Sequence, residues 1–343
     1  MGLIQRELDV LTAIVEDYIA KAQPVGSRTV SKSGRVSLSP ASIRNTMADL
    51  TEKGYLEQPH TSSGRVPTAR AYRLYLDQLM RPSPPASPVK EMMAASLGQA
   101  GLDMDGVLRQ ASRILSTVAN QVTMVMAPKQ ANVRWRHIDF VLLRPGLVMA
   151  ILVLQGGFVQ KNLVGVGEGL TGDDLISFGN YLNHHFQNLT VSEVRHRIVA
   201  ELGRARRELS ELTFRALRMA LDAFEASDSP EVFVEGTATM FSQPEFSDLA
   251  AMREVFKVLQ DRTRLLDLLD KTMDQFRTVI MLGTEVQAQD LAGCGVVCSP
   301  YGGANGPIGA VSIIGPLRMD YAEVVPLVNY TAQLITTMLS KHF

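Results

Sequence analysis

The sequence has too little cysteine for a disulfide framework: Cys294 and Cys298 are the only two in 343 residues. That scarcity fits a reducing cytoplasm. No long apolar run is present either. The longest, GLVMAILVL at 146–154, follows Arg144 and is roughly half the length of a membrane span, so no membrane partner is expected. An apolar signal core is missing at the start, where Arg6, Glu7 and Asp9 interrupt the first turns. MGLIQR also lacks the Ser or Thr that myristoylation wants at position 6. Together these absences give a cytoplasmic address. There is no net positive charge: the formal value is −1, which taken alone argues against nucleic acid as a partner.

The distribution of charge says more than its sum. Residues 1–81 carry 11 Lys and Arg against 8 acidic residues, an excess of +3, whereas the remainder carries 23 against 27, a deficit of −4. The basic excess is confined to the N-terminal quarter, and chance asymmetry on a solvated surface would give the same modest figure. At 46% hydrophobic and 20% charged residues, the chain has an ordinary soluble composition and is long enough for two or three domains.

The N-terminal segment is strongly patterned. Leu8, Leu11, Ile14, Val15, Tyr18 and Ile19 repeat every three or four residues and predict a first helix ending before Pro24. A second, shorter helix is predicted from Ser27 as N-cap. A third has Ser39 as N-cap, Pro40 at its first position and closes at Gly54. Three helices with a short second connection make a helix-turn-helix. Tyr55–Gln58 and the RVP at 65–67 read as two short strands joined by the turn-rich PHTSSG, a wing, before Thr68 caps a helix carrying Tyr72, Leu74, Tyr75 and Leu79.

The third helix presents two faces. Ile43, Met47 and Leu50 point one way; Ala41, Asn45 and Ala48 point nearly opposite, flanked by Ser42, Arg44 and Asp49. A small polar face near a helix N-terminus suits the floor of the major groove, where Arg pairs bidentately with guanine and Asn with adenine. We therefore expect Ser42, Arg44 and Asn45 to read bases. Ser27, Arg28 and Ser39, with wing residues His60, Thr61, Ser62, Ser63 and Arg65, are expected to lie against phosphates or the minor groove. The same pattern also fits a solvated surface helix, or a winged helix that binds protein.

IVEDYIAKAQPVGSRTVSK, LSPASIRNTMADLTEKGYLEQPHTSSGRVPT and AYRLYLDQL resemble the N-terminal domain of the HrcA family of bacterial heat-inducible transcription repressors. EGTATMFSQPEF and GPIGAVSIIGPLRMDYAEVVPLVNYTAQLITTML resemble later motifs of that family. The likeness spans almost the whole chain, is most specific from Pro24 to Thr68, and departs at Leu317, where the family often has Thr. The resemblance implies a homodimeric repressor of chaperone operons of the groESL and dnaK type. It implies binding to double-stranded DNA at the CIRCE inverted repeat and activity maintained by the GroEL chaperonin, with repression lost on heat shock.

Beyond residue 80 the expected fold is multidomain α+β. RPSPPASPVK, with four prolines, opens a Pro-rich linker over 81–103. A helix is predicted over Val107–Val122, then the strands HIDFVLL, LVMAILVL and FVQKNLVGVG as a meander. GDDLISFGNYLNHHF and the run 192–226 are amphipathic and helical, and strands return as TVIMLGTE, CGVVCSP and GAVSIIGP before a terminal helix. Strands, helices and strands again suggest one domain interrupted by an insertion. With the resemblance, this gives a winged helix-turn-helix at 1–80, a GAF-like domain at 104–170 and 265–343, and a mostly helical, dimerising insertion at 171–264.

No enzyme reading survives the residues, and no cofactor or metal is expected. GVGEGL at 165–170 has Leu where a dinucleotide loop needs its last glycine. Adjacent His184 and His185 point to different helix faces. The glycine-rich SPYGGANGP at 299–307 reads as an exposed turn or, in a GAF-like fold, the cap of a ligand pocket. Marginal stability fits chaperonin dependence; a small-molecule sensor and a protein-binding adaptor are the rival readings.

Overall fold

In a computed structural model, α1 (Gln5–Lys21), α2 (Ser27–Lys32) and α3 (Pro40–Glu52) form where the periodicity puts them. The structure describes residues 2–342 apart from 61–62, 101–103, 129–132, 168, 206–210, 226–229, 247–248, 274, 287–290, 292 and 304–305. Ala22 takes a left-handed conformation that ends α1, two residues before Pro24. The Ser39 hydroxyl accepts from the Ser42 N–H at 3.2 Å, and Pro40 opens α3 where its missing N–H is harmless. Ile43, Met47 and Leu50 are buried in one core with Val10, Leu11 and Ile14, each such burial contributing roughly 1.5–3 kcal/mol. The strands β1 (Leu56–Glu57) and β2 (Val66–Pro67) pair antiparallel, Leu56 opposite Pro67. A fourth helix, α4 (Ala69–Leu74), continues as a π-helical turn to Leu79.

One buried carboxylate ties α1 to the end of α3. Lys53 donates to both Glu7 oxygens, at 2.7 and 2.8 Å, and Glu7 also accepts from the Ile4 N–H. Chiefly through the Lys53 hydrogen bond, the Glu7 carboxyl is held below its ordinary range. Its contribution to stability is therefore complete above the unfolded carboxylate pKa, about 4.3, and is lost as pH falls through and below that value. Glu7→Gln is expected to lower the urea midpoint at pH 7, with the gap to wild type closing as pH drops below about 4. A gap independent of pH would assign the loss to packing alone.

The segment expected as a linker is half helix. Residues 81–86 are extended, but α5 (Ser87–Gly98) follows, with Pro88 in its first turn and Met93 and Leu97 buried. Proline is compatible with a helix start, and VKEMMAASLG supplies good helix formers. Next, α6 (Met104–Ala119) ends at Asn120, which has φ +50°, and Val122–Met126 forms β3, buried throughout. The sequence reading had run the helix to Val122 and missed this strand, since a short apolar run shows no period of its own.

Two further units follow, each with its own sheet. Strands β4 (Trp135–Arg144), β5 (Leu147–Leu154) and β6 (Val159–Gly165) form a three-stranded antiparallel meander. They share a core with α7 (Gly172–Phe186), α8 (Val191–Ala205) and α9 (Glu211–Glu225), centred on Trp135, Ile138, Phe178, Leu182 and Leu217. Asn183 of α7 pins β4 by accepting from the Ile138 N–H and donating to its carbonyl. The meander, expected to belong with 104–128, thus packs with helices expected in the insertion.

The other sheet runs β7 (Val232–Glu235), β3, β10 (Gly306–Pro316), β9 (Cys294–Gly303), β8 (Val279–Leu282), all antiparallel. Alternate side chains of β3 explain its two cores. Val125 joins α6 and α12 (Tyr321–His342) on one face; Met124 and Met126 join α10 (Leu249–Gln260) and α11 (Arg262–Met273) on the other. The helix α10 and the first turn of α11 therefore belong with this sheet and not with the insertion expected to reach residue 264, whereas the rest of α11 lies on the expected side of that boundary. SPYGGANGP, expected as a turn, is largely the end of β9 and the start of β10, with 304–305 outside the described residues.

The N-terminal unit is docked on the five-stranded one. The Tyr72 and Tyr321 rings lie 6.4 Å apart, both buried. Arg73 of α4 pairs with Glu285 and donates to the Ile280 carbonyl at 2.9 Å. Arg318 pairs with Glu245 and bonds Gln243 at 2.8 Å beside the end of α1. The Ser83 N–H donates to the Ala322 carbonyl at 2.8 Å.

Candidate nucleic-acid interface

The outer face of α3 is free. Arg44 and Asn45 are exposed, Ser42 is half-exposed, and among the described residues none pairs with the Arg44 or Asn45 side chains. Arg28, near the start of α2, is exposed and likewise without an ion-pair partner, as is Lys32, which the sequence reading did not single out. Several other cations of this unit are engaged: Arg35 by Glu16 at 2.5 Å, Lys53 by Glu7, Arg73 by Glu285, and Arg70 over the Tyr55 ring at 4.5 Å, whereas Arg6 on α1 is exposed and has no ion-pair partner among the described residues. Free positive charge is thus concentrated on α2 and the N-terminal half of α3, where helix N–H groups add a favourable field for anions.

Several expected contacts sit differently. Ser27 is 8% exposed and is the first residue inside α2, with Gly26 at the N-cap position; its hydroxyl offers little surface to a phosphate. The Ser39 hydroxyl caps α3. Ser63 closes the tip of the hairpin: its hydroxyl donates to the His60 carbonyl at 2.6 Å and accepts from the His60 N–H at 3.0 Å. His60 is exposed. Thr61 and Ser62 lie outside the described residues.

Arg65 is a brace. Its Nε donates to the Thr51 hydroxyl of α3 at 3.0 Å, and its backbone exchanges two hydrogen bonds with Val25, each 2.9 Å. Gly64 permits that contact, because a Cβ there would lie 2.5 Å from the Val25 carbonyl carbon and oxygen. The hairpin is thereby fixed to the connection between α1 and α2 and, through Thr51, to α3. Sequence reasoning missed Val25, Thr51 and Gly64 as positioning residues; the single glycine inside SSGRVP was the available signal.

Among the described residues no catalytic arrangement competes with this surface. Burial pushes the Cys294 thiol up to about 12, leaving no thiolate to act. His185 bonds the Tyr181 carbonyl at 2.9 Å in the last turns of its own helix. Among the described residues no group of three or more His, Cys, Asp or Glu is arranged to hold a metal, and no helix is long and apolar enough to cross a membrane.

An exposed helix face with unpaired Arg and Asn, braced by a hairpin and joined to a separate mixed α/β body, is an arrangement that suits a transcription regulator, and comparison with known proteins gives the class and the family. The HrcA protein C terminal domain profile matches residues 105–325. The heat-inducible transcription repressor HrcA of Nitratidesulfovibrio vulgaris (strain DSM 19637 / Miyazaki F) is 47% identical, the match covering 100% of this chain and 97% of that protein. Its counterpart in Geobacter sulfurreducens is 38% identical over 98% of each. A crystal structure of a hypothetical protein at 2.2 Å resolution shares the fold, with a TM-score of 0.63 at 20% identity over the whole of both chains. The chain belongs to the HrcA family and is a transcription regulator, not an enzyme.

Proposed function

We propose that the protein represses heat-shock chaperone operons by binding the CIRCE inverted repeat as a homodimer. The observation that carries this reading is the free, small-residue face of α3, with Arg44 and Asn45 exposed beside Arg28. In it, α1–α3 and the hairpin act as a winged helix-turn-helix: Ser42, Arg44 and Asn45 contact bases, Arg28, Lys32 and His60 contact phosphates, and Arg65 positions the wing. The five-stranded unit acts as a GAF-like body, with the meander and α7–α9 as the insertion. The interdomain joint supports chaperonin dependence, since among the described residues the buried Tyr72 and Tyr321 hydroxyls have no hydrogen-bond partner, and buried polar groups left unpaired keep such a joint marginal.

For the dimer, the outer face of the meander supplies a surface. Val141, Val159 and Leu163 are 41%, 50% and 62% exposed on it. Asp139, Ile151 and Lys161 form one row across its three strands, acid at one edge and base at the other. His137 lies 3.1 Å from Asp139 on that face. A two-fold axis parallel to the strands sets Asp139 over Lys161 of the partner subunit, twice per dimer. Asp139→Lys or Lys161→Asp alone is then expected to weaken the dimer roughly ten-fold or more, and the double swap to restore it; sedimentation equilibrium reads this, and single swaps that leave the mass unchanged remove this face from the dimer. The repressor reading itself is tested by scrambling one half of the repeat: a dimer bridging both halves loses most of its affinity, whereas unchanged affinity denies the two-fold match.

A further inference from the structure

A cavity of about 360 Å³ opens between residues 276–278, which lead into β8, and β9 and α12 on the five-stranded unit, on a scale suited to small ligands. Its walls include Thr278, Ser299, Asn329 and Thr336, with Phe276 and Arg277 among the lining. Their polar groups are already organised: the Thr278 hydroxyl donates to Asn329 Oδ1 and can accept from the Ser299 hydroxyl, and Thr336 Oγ1 accepts from the Gly302 N–H. Among the described residues the lining contains one charge, the Arg277 guanidinium, and no carboxylate. Arg277 is exposed and bonds only Gln275, at 3.5 Å, among the described residues. Beside it, Phe276 has φ +52° and is 70% exposed. A bulky residue rarely adopts that backbone conformation, and such strain gathers at ligand clamps.

We infer that this cavity binds a small organic anion with a flat apolar body, its charged group on Arg277 and its body against the Phe276 ring. Unshielded cation, uncharged hydrogen-bonding floor and exposed ring together select that chemistry. An inorganic anion leaves the ring unused, and a neutral aromatic leaves the guanidinium unused. The position also matters. The N-terminal unit sits on α12, which lines the cavity, and on β8, which continues directly from Thr278: Arg73 bonds the carbonyl of Ile280, two residues after Thr278, and Tyr72 packs on Tyr321 at the start of α12. An occupant that shifts Thr278 against Asn329 acts on the seat of the reading head. This part rests on the repressor reading; binding itself does not.

Saturation-transfer NMR with full-length protein and phenylacetate, phenylacetamide or acetate tests the site. Transfer to phenylacetate at low millimolar concentration, with about ten-fold less to phenylacetamide or in Arg277→Gln and a partial recovery in Arg277→Lys, is the result expected for a charge-assisted contact. Phe276→Ala should weaken phenylacetate and leave acetate unchanged. No transfer, or transfer to phenylacetate that survives both Arg277→Gln and Phe276→Ala, overturns the site. If phenylacetate binds but leaves the affinity for a CIRCE duplex unchanged, the coupling to DNA is overturned and the site stands. Loss of preference for CIRCE over scrambled DNA without ligand removes the repressor reading instead.

Discussion

Arg44→Ala is expected to cost about 1–3 kcal/mol of operator binding, a factor of roughly five to 150, and to relax discrimination at one base pair in each half-site. The side chain is exposed and has no intramolecular partner among the described residues, so folding stability should move by no more than about 0.5 kcal/mol. Affinity for random duplex should fall much less, since an arginine paired with a base edge contributes discrimination beyond its share of the phosphate field. Competition binding with operators substituted at each position reads the effect. An equal loss on specific and random DNA would make Arg44 a phosphate contact and leave base reading to Ser42 and Asn45.

Gly64→Ala should act in the opposite manner, through structure and on all DNA alike. The added Cβ meets the Val25 carbonyl at 2.5 Å, and both faces of that contact are backbone, so the strain can be relieved only by parting the Val25–Arg65 hydrogen bonds. Loss of two backbone hydrogen bonds and local overpacking together amount to roughly 2–4 kcal/mol. The hairpin then loses its hold on α1 and α3. We expect operator affinity to fall ten-fold or more, on the same order for scrambled duplex, with amide exchange of Val25 and Arg65 accelerated and that of Leu152 in the meander unchanged. Unchanged exchange with reduced affinity would place Gly64 at the DNA itself.

The two variants separate what the sequence made legible from what it did not. The face of α3 follows from a period of 3.6 residues, and Ser39 with Pro40 marks its start, so local rules reach Arg44 and Asn45 without tertiary information. Arg65 shows where that reasoning stops. An arginine in a turn-rich segment invites a phosphate, but its Thr51 contact depends on how the hairpin folds over α3, 14 residues away in sequence. Ser27, buried at the start of α2, and Ser63, bonded to His60, make the same point: a hydroxyl in a motif can serve the motif's own geometry. At the level of domains, the three strands from Trp135 to Gly165 were legible as a meander, but which helices cover them was not. Amphipathic α7–α9 and α10–α11 carry similar patterns, and only the partition of buried side chains assigns the first group to Trp135 and the second to Met124 and Met126. The docking of Tyr72 on Tyr321 spans 249 positions and left no local trace.

The central claim is sequence-specific repression through the α3 face, and a mobility shift tests it most directly. A CIRCE duplex and a scrambled duplex of equal length and composition are compared at fixed near-physiological salt, with and without GroEL and ATP. The account predicts a preference for CIRCE of at least about a thousand-fold, with the active fraction raised by chaperonin and the preference itself unchanged. Equal binding to both duplexes by demonstrably folded protein would contradict it and leave the N-terminal unit as a surface for another protein.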